Sequence, residues 1–292
     1  MIEGLSSEHS VFNLCRVLEI SRSAYYAYRG GSTYVLQGQK QSIADAVRQV
    51  FEAHKRRYGS RRIREELLDK GWRVGRYQVA QRMKEQGLLA IQPKSFVPKT
   101  TQTHPHLRRS TNLLLEADNQ ALAPNEVIVG DITYLPNERA GSNKWLYLAV
   151  WLDLFSRRIV GWQVDDNMEE QLVITAFRQV LRHRAVAPGS IVHSDGGGQY
   201  GSNAFRDLLA AHELRQSMTR KDNHYDNAHA ESLFSRFKAE LLTDTKFYGL
   251  EDAYYQCFEY IEGYYNTIRK HSSIGYLSPV QFEQQFWAKH GR

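Results

Sequence analysis

The chain has 292 residues, of which 42% are hydrophobic and 24% charged, a composition typical of globular proteins and long enough for two or three small folding units. No apolar run approaches the roughly 20 residues of a membrane span, and no basic–apolar–small signal segment opens the chain. Cys15 and Cys257 lie far apart and form no CxxC pair, which argues against a structural zinc site. We therefore expect a cytoplasmic protein without a membrane partner.

The charge of the chain is distributed unevenly. Residues 55–109 contain 15 Lys and Arg against 4 Asp and Glu, whereas residues 127–292 contain 18 against 20. A basic front region ahead of a near-neutral one predicts a surface for a polyanion. A solvated basic surface would have the same composition, so charge alone leaves both interpretations open.

The front of the chain is predicted to be helical. Residues 1–41 are interpreted as a short N-terminal helical segment and a linker, and residues 42–90 as a small domain with helices at 43–55, from Ser60 to Gly71, and at 77–86. The last two helices, joined by a Gly-containing turn, predict a helix-turn-helix, although many helical hairpins bind nothing. Six arginines suited to phosphate and guanine contacts favour DNA binding: Arg61, Arg62, Arg64, Arg73, Arg76 and Arg82.

Residues 91–125 are polar and basic and contain four prolines, so we interpret them as an extended linker. The segment either follows DNA between two modules or is a plain tether.

Residues 126–242 predict a mixed α/β domain. Strands at 127–135, 144–154 and 158–164 with short connections indicate an antiparallel meander. A helix at 169–184, a strand ending at Asp195, a helix at 203–211 and a strand at 214–218 follow. Residues 243–292 are interpreted as a C-terminal helical extension of this core, in which Tyr254, Phe258, Ile261 and Tyr265 recur at helical spacing and are expected to be buried.

Three acidic residues stand out in this second half. Asp131 interrupts an apolar strand, Asp195 ends another, and Glu231 lies on a helix that Asp226 and Asn227 are suited to cap. A charge within a buried strand is costly unless it is paired or metal-bound. Converging carboxylates would form an oxygen site for a hard cation such as Mg²⁺. Taken alone, the helical pair of Glu231 and Lys238 is more typical of a solvated helix face.

The motifs HSDGGGQY and YDNAHAESLFSRFKAEL, with 35 residues between Asp195 and Glu231, resemble the catalytic core of bacterial insertion-sequence transposases. Those belong to the DDE transposase and retroviral integrase superfamily. More narrowly, the chain resembles the second-reading-frame product of two-frame insertion sequences that transpose by copy-out and paste-in. RYGSRRIREELLDKGWRVGRYQVAQRMKEQGL resembles the helix-turn-helix-like module of that family, and YYNTIRKHSSIGYLSPVQFE its C-terminal signature.

The resemblance implies a ribonuclease H-like α/β core, with a mixed five-stranded sheet and helices, preceded by a small all-α module. It also implies metal-dependent DNA strand cleavage and strand transfer at insertion-sequence ends. Asp131 would bridge two Mg²⁺ or Mn²⁺ ions, Asp195 and Glu231 would complete their shells, and Lys238 would touch a phosphate near the scissile bond. His193 and Asn227 would orient the acids.

The partners implied by the resemblance are double-stranded DNA, both terminal inverted repeats and target, and further copies of the chain in a dimer or larger oligomer on DNA. The upstream-frame product, separate or fused, is another implied partner, and the location is the nucleoid of a bacterial cytoplasm.

Several alternatives remain open at the level of sequence. The chain could be a DNA-binding regulator with a non-catalytic core, or a ribonuclease H-type nuclease acting on RNA–DNA hybrids. His193 could be a packed strand histidine. Asn266, Arg269 and His271 could meet DNA or hold the helix that carries Glu231. Asp153, another acid near a strand end, lies in a segment that is structural in the family.

Overall fold

A computed structural model describes residues 2–92, 110–116, 121–219, 228–243 and 245–291, and of residues 32–37 and 228–233 it describes the backbone only. The chain forms two compact units, residues 1–90 and 91–292. The predicted cap residues Asp226 and Asn227 and most of the predicted linker fall outside the described residues. Among the described residues, no helix has the length and apolar character to cross a membrane.

The first unit is entirely helical. Its helices are α1 (Ile2–Leu5), α2 (Val11–Val17), α3 (Arg22–Arg29), α4 (Ser32–Ala53), α5 (Ser60–Asp69) and α6 (Arg76–Glu85). The last three pack around a small core that contains Val47, Ile63, Leu67 and Val79, all fully buried. The predicted helix pair therefore forms as α5 and α6.

Helix α4 begins earlier than the sequence predicted. The linker assigned to residues 30–41 is helical from Ser32 onward, after Gly31 in a left-handed conformation with φ of 72°. Polar composition suggested a linker, but Gln and Lys have good helix propensity, and Gln41 bonds Asp45 one turn later. Residues 38–42 of this helix are exposed, so their polar composition fits a helix in contact with solvent.

The second unit contains one mixed sheet of five strands: β1 (Val127–Pro136), β2 (Trp145–Asp153), β3 (Ile159–Asp165), β4 (Ile191–Ser194) and β5 (Arg215–Met218). Their order is β3-β2-β1-β4-β5. The first three strands form an antiparallel meander, and β4 and β5 are parallel to β1. This is the ribonuclease H-like arrangement, as the sequence predicted.

Helices cover both faces of the sheet. On one face lie α7 (Glu170–His183), α8 (Gly198–Gly201) and α9 (Asn203–Ala211), packed around Trp151. On the other lie α10 (Ala228–Leu242), α11 (Leu250–Phe258) and a π-helix (Glu259–Tyr265). Helix α12 (Pro279–His290) ends the chain. Gly161 permits the close approach of α7 to β3, because a Cβ there would lie 2.3 Å from the Ala176 carbonyl oxygen.

The outer edge of β3 is closed by side-chain amides. Asn266 accepts from the Ile159 amide and donates to the Ile159 carbonyl, each at 2.9 Å. Gln179 makes the same pair of bonds with Trp162, at 3.3 and 2.7 Å. The carbonyl of Val164 accepts from the side chain of Gln163. The peptide groups of Ile159 and Trp162 and the carbonyl of Val164 are therefore paired by side chains of the same unit.

Two predictions about the second unit hold only in part. Within the predicted linker, residues 110–116 lie on the core, where Leu113 and Leu114 pack and the Leu113 amide donates to Ser217 Oγ at 2.9 Å. The aromatic repeat of residues 254–265 is only half buried, because Tyr254 is 41% and Phe258 50% exposed. The π-helix widens the turn after Phe258 and so changes which residues face the core.

Candidate active site

Asp131 lies within β1, and Asp195 directly follows Ser194, the last residue of the neighbouring parallel strand β4. Val127 pairs with Ile191 and Val129 with His193, and this register continued by two residues brings Asp131 beside Asp195. Side chains alternate between the faces of a strand, so Asp131 shares the face of Val127 and Val129, which pack with residues of α10. Asp131 therefore lies on the face of the sheet that α10 covers, and we expect Asp195 to lie beside it.

Short backbone contacts orient both carboxylates. Asp131 Oδ1 accepts from the Ile132 amide at 2.8 Å, and Asp195 Oδ1 accepts from the Gly197 amide at 3.0 Å. Gly197 has no side chain to interfere, whereas a Cβ at this position would lie 2.9 Å from Asp195 Oδ1. The glycines after Asp195 thus do more than form a turn, since one of them gives its amide to the carboxylate.

Tyr200 provides a second indication that the two carboxylates are close. Burial raises the pKa of this phenol well above its ordinary value, and the negative charges of Asp195 and Asp131 raise it further. A single buried group is thus within electrostatic reach of both acids. We expect Tyr200 to stay neutral at physiological pH and to add no negative charge to the site.

Glu231 lies in the first part of α10, and only its backbone is described. The helix is held against the sheet by Phe234, Phe237 and Leu241. Lys238 is half-buried on the same helix, two turns after Glu231. The placement of the helix is consistent with a third carboxylate near the strand acids, and this role of Glu231 remains a prediction.

His193 is buried between neighbouring strands. It pairs with Val129 of β1 and Ser217 of β5, and its Nδ1 lies 2.8 Å from Ser217 Oγ. The same hydroxyl accepts from the Leu113 amide. These contacts are those of a packed strand histidine. Because His193 precedes Asp195 by two residues, it could also orient that acid, and this role remains a prediction.

Asp153 belongs to a separate buried network. Its carboxylate accepts from the Ser156 amide and hydroxyl and from the Asn125 amide, and burial raises its pKa despite these bonds. The Ser156 hydroxyl also lies 2.8 Å from Glu283, which both Arg158 and Arg184 contact. Asp153 therefore serves to join β2 to α12, in line with its structural assignment.

The C-terminal signature packs inside the second unit. Asn266 binds the edge of β3, and Arg269 forms a buried ion pair with Glu240 of α10 at 2.6 Å. His271 is 5% exposed and lies 3.2 Å from the Arg269 guanidinium. The structure therefore supports the interpretation that these residues hold α10. Sequence spacing alone contained no signal for the pairing of Arg269 with Glu240.

The six candidate DNA-binding arginines fall into two groups. Arg61, Arg73 and Arg76 are exposed and form no ion pair within the described part of the chain. The others are engaged within the unit. The Arg62 guanidinium lies over the Tyr58 ring, and Arg64 and Arg82 pair with Glu65 and Glu85 at 2.5 and 2.7 Å. The exposed group is the one available for phosphate.

The donor atoms at this site suit a hard cation. Asp131 and Asp195 offer carboxylate oxygens, which are the ligands that a hard cation such as Mg²⁺ prefers. No group of three potential ligands is gathered among the described side chains. The two strand acids would thus hold a divalent ion only together with a further ligand, for which Glu231 is the candidate.

Comparison with known proteins agrees with this geometry. The family description "Integrase core domain" matches residues 121–224 and again residues 212–279, and "HTH-like domain" matches residues 39–96. Over 286 residues the chain is 38% identical to the transposase InsF for insertion sequence IS3A of Escherichia coli K12, covering 97% of each chain. The chain belongs to the IS3 family of insertion-sequence transposases.

Other similarities follow the same pattern. The transposase for insertion sequence element IS904 of Lactococcus lactis is 37% identical over 248 residues, which are 85% of this chain and 96% of that one. The magnesium-bound catalytic core of HTLV-2 integrase aligns with 56% of this chain and 99% of its own length, at 17% identity and a TM-score of 0.41. The family match and the insertion-sequence relatives show that the chain is a transposase of the DDE and integrase superfamily, a polynucleotidyl transferase by class, as the sequence indicated.

Proposed function

We propose that this transposase cuts and joins DNA strands at the ends of an insertion sequence, with Asp131, Asp195 and Glu231 as its catalytic acids. The observation that supports the proposal is the parallel pairing of β1 with β4, because the same register continued past Ser194 would bring Asp131 level with Asp195. Two acids from strands and one from a helix would surround a single point above the sheet.

The acids would hold divalent ions, Mg²⁺ or Mn²⁺ and two per site, and the bound ions would activate the attacking hydroxyl and stabilise the leaving oxygen. The chain's own contribution is orientation. The amides of Ile132 and Gly197 contact Asp131 and Asp195, and His193 and Asn227 would support these acids. The attacking group is either water or a DNA 3′-hydroxyl, which must be aligned with the scissile bond. Lys238 supplies a cation for a phosphate near that bond.

DNA recognition is proposed for the helical unit, with α6 entering the major groove. Arg73 and Arg76 lie just before and at the start of α6, beside Tyr77, which is 80% exposed. Together with Arg61 they would contact the terminal inverted repeat. We expect two or more copies to act on DNA, with the upstream-frame product as partner or fusion, in the nucleoid of the bacterial cytoplasm.

The test uses the full chain, Mg²⁺ or Mn²⁺ and a labelled insertion-sequence end. Asp131→Asn, Asp195→Asn and Glu231→Gln should each reduce cleavage and strand joining to background, because each removes one charged ligand while keeping the shape of the side chain. Asp207→Asn, at an exposed position of α9, is the matched control and should retain activity. Wild-type activity in the three site variants would overturn the assignment.

A second candidate is a DNA-binding regulator whose core is non-catalytic, and the basic helical unit is the observation that favours it. Metal-dependent cleavage by the purified protein would dispose of this candidate. The alternative of a nuclease for RNA–DNA hybrids is tested by comparing cleavage of hybrid and of duplex DNA substrates. The proposed transposase should prefer duplex DNA ends.

A further inference from the structure

The C-terminal segment after the π-helix contacts α10 through a buried two-point ion pair. Arg269 Nη2 lies 2.6 Å from Glu240 Oε1, and Arg269 Nε donates to Glu240 Oε2 at 2.7 Å. The two side chains are 3% and 6% exposed. A planar guanidinium that meets both oxygens of a carboxylate fixes the direction of the contact as well as its distance.

Neighbouring groups complete this contact. The Tyr260 hydroxyl donates to Glu240 Oε2 at 2.9 Å, and the Tyr265 ring lies 5.5 Å from the guanidinium carbon. A ring nitrogen of His271 accepts from Arg269 at 3.2 Å, because a guanidinium only donates. Burial acts to lower the pKa of Arg269, but the charge and hydrogen bonds of Glu240 raise it above its ordinary value. The guanidinium is therefore charged and fully engaged, and it is too deeply buried to reach a DNA phosphate.

The same segment is also fixed to the sheet. Asn266, three residues before Arg269, makes two hydrogen bonds to the backbone of Ile159 on β3. One short stretch of chain thus joins the sheet at Asn266 and α10 at Arg269. The position of α10 relative to the strands is set through this stretch as well as through apolar packing.

Apolar packing alone would leave α10 free to shift. Phe234, Phe237 and Leu241 hold the helix against the sheet, but hydrophobic contact is non-directional. A slip of one residue in an α-helix rotates a side chain by roughly 100° and moves it about 1.5 Å along the axis. Fixing the carboxylate of Glu240 therefore also fixes the position of Glu231 in the same helix, nine residues earlier.

We infer that Arg269 is a positioning residue for the active site: through Glu240 it sets the rotation and axial position of α10, and so presents Glu231 to Asp131 and Asp195. The inference rests on the proposed role of Glu231 as the third metal ligand. Tyr260 supports the same carboxylate and shares this function. Asn266 supplies the link to β3.

The test measures metal response separately from folding. Arg269→Lys keeps the charge and removes the two-point geometry, and Tyr260→Phe removes only a hydroxyl while its ring stays packed on Phe237. Loss of a group that orients a ligand typically lowers metal affinity or activity by about 10–100-fold. We expect both variants to need more Mn²⁺ for half-maximal cleavage and to show a smaller Mn²⁺-induced rise in melting temperature. Tyr255→Phe, at a residue 63% exposed, is the control and should behave as wild type.

A paired substitution separates positioning from stability. Glu240→Met with Arg269→Met replaces the ion pair by apolar side chains, which often preserves or raises stability. A wild-type melting temperature with a weakened Mn²⁺ response supports the inference, whereas a wild-type Mn²⁺ response overturns it. If Arg269→Lys does not fold, Tyr260→Phe decides the question.

Failure of the inference is distinguishable from failure of the proposed function. If Asp131→Asn leaves the Mn²⁺ response unchanged, the metal site itself has been misassigned. If Asp131→Asn abolishes the response while Arg269→Lys and Tyr260→Phe match wild type, only the positioning role is wrong.

Discussion

At the scale of single residues, Gly197 determines how closely the backbone approaches the Asp195 carboxylate. Its amide donates to Oδ1, and an added Cβ would lie 2.9 Å from that oxygen and 3.2 Å from Gln199 Oε1. Gly197→Ala should therefore displace the Asp195 carboxylate without creating a cavity in the hydrophobic core. Because misplacement by about 1 Å can cost roughly 10²-fold in rate, we expect strand cleavage to fall by one to two orders of magnitude.

The control for this change is Gly263→Ala, since nothing lies within 4 Å of a Cβ built at Gly263. Cleavage rates and the Mn²⁺-induced shift in melting temperature should be measured for both variants. Equal rates for Gly197→Ala and wild type would show that the Asp195 carboxylate tolerates the added methyl group, and would contradict the proposed role of this amide.

At the scale of elements, α12 is tied to the core through Glu283. This carboxylate, 3% exposed, pairs with Arg184 at 2.6 Å and with Arg158 at 2.8 Å. Burial acts to raise the pKa of Glu283, but the two arginines outweigh it and hold the pKa below its ordinary value. Glu283→Gln leaves two cations without their acceptor, so we expect a loss of about 3–5 kcal/mol in the free energy of unfolding at neutral pH.

That loss should depend on pH in a defined direction. A carboxyl with a lowered folded-state pKa contributes its full stability above its ordinary pKa, and this contribution is lost as the pH falls through the lowered value. Urea unfolding across acidic pH should therefore show wild type and Glu283→Gln converging. Glu251→Gln, at an exposed position of α11, should track wild type throughout. A gap between Glu283→Gln and wild type that persists at low pH would contradict the pairing.

Local patterns predicted the strands and the helix pair well. The apolar run around Asp131 and the run before Asp195 identify two buried strands, because a continuous apolar run is a feature of neighbouring residues alone. The start of α4 at Ser32 and the docking of Leu113 were missed, since polar helices resemble linkers and docking depends on distant partners.

Long-range polar pairs are the other feature that local patterns cannot predict. Glu240 and Arg269 are 29 residues apart, and nothing in either neighbourhood specifies the other. The π-helix, which shifts the buried face by one residue and packs in one core with residues of α10, likewise had no signal in the local pattern. For the candidate site, the residue types at strand ends were therefore informative, whereas the contacts that orient them required the structure.

At the scale of the whole molecule, binding and chemistry should be separable. Residues 55–109 have a net charge of +11, whereas residues 127–292 have −2. Replacing Arg61, Arg73 and Arg76 by Gln should lower the slope of log affinity against log salt by about 0.9 for each phosphate that is no longer neutralised. The Mn²⁺-induced rise in melting temperature should stay unchanged, because the strand acids are untouched.

The reciprocal variants complete the comparison. Asp131→Asn and Lys238→Ala should retain the affinity of wild type for the insertion-sequence end and lose strand joining. Arg64→Gln, which removes a charge already paired with Glu65, is the control for the arginine series and should change the salt slope little. A fall in DNA affinity for Lys238→Ala as large as that of the arginine variant would contradict this division between the two units.

The amide contacts along β3 restrict how copies of this protein can associate. An open strand edge offers its backbone to any other extended chain, and this is a common route to aggregation. Here Asn266 and Gln179 occupy the peptide groups of Ile159 and Trp162, so a second chain finds no donors or acceptors at those positions. If copies of the chain gather on one DNA molecule, we expect that their sheets do not join through these two positions of β3.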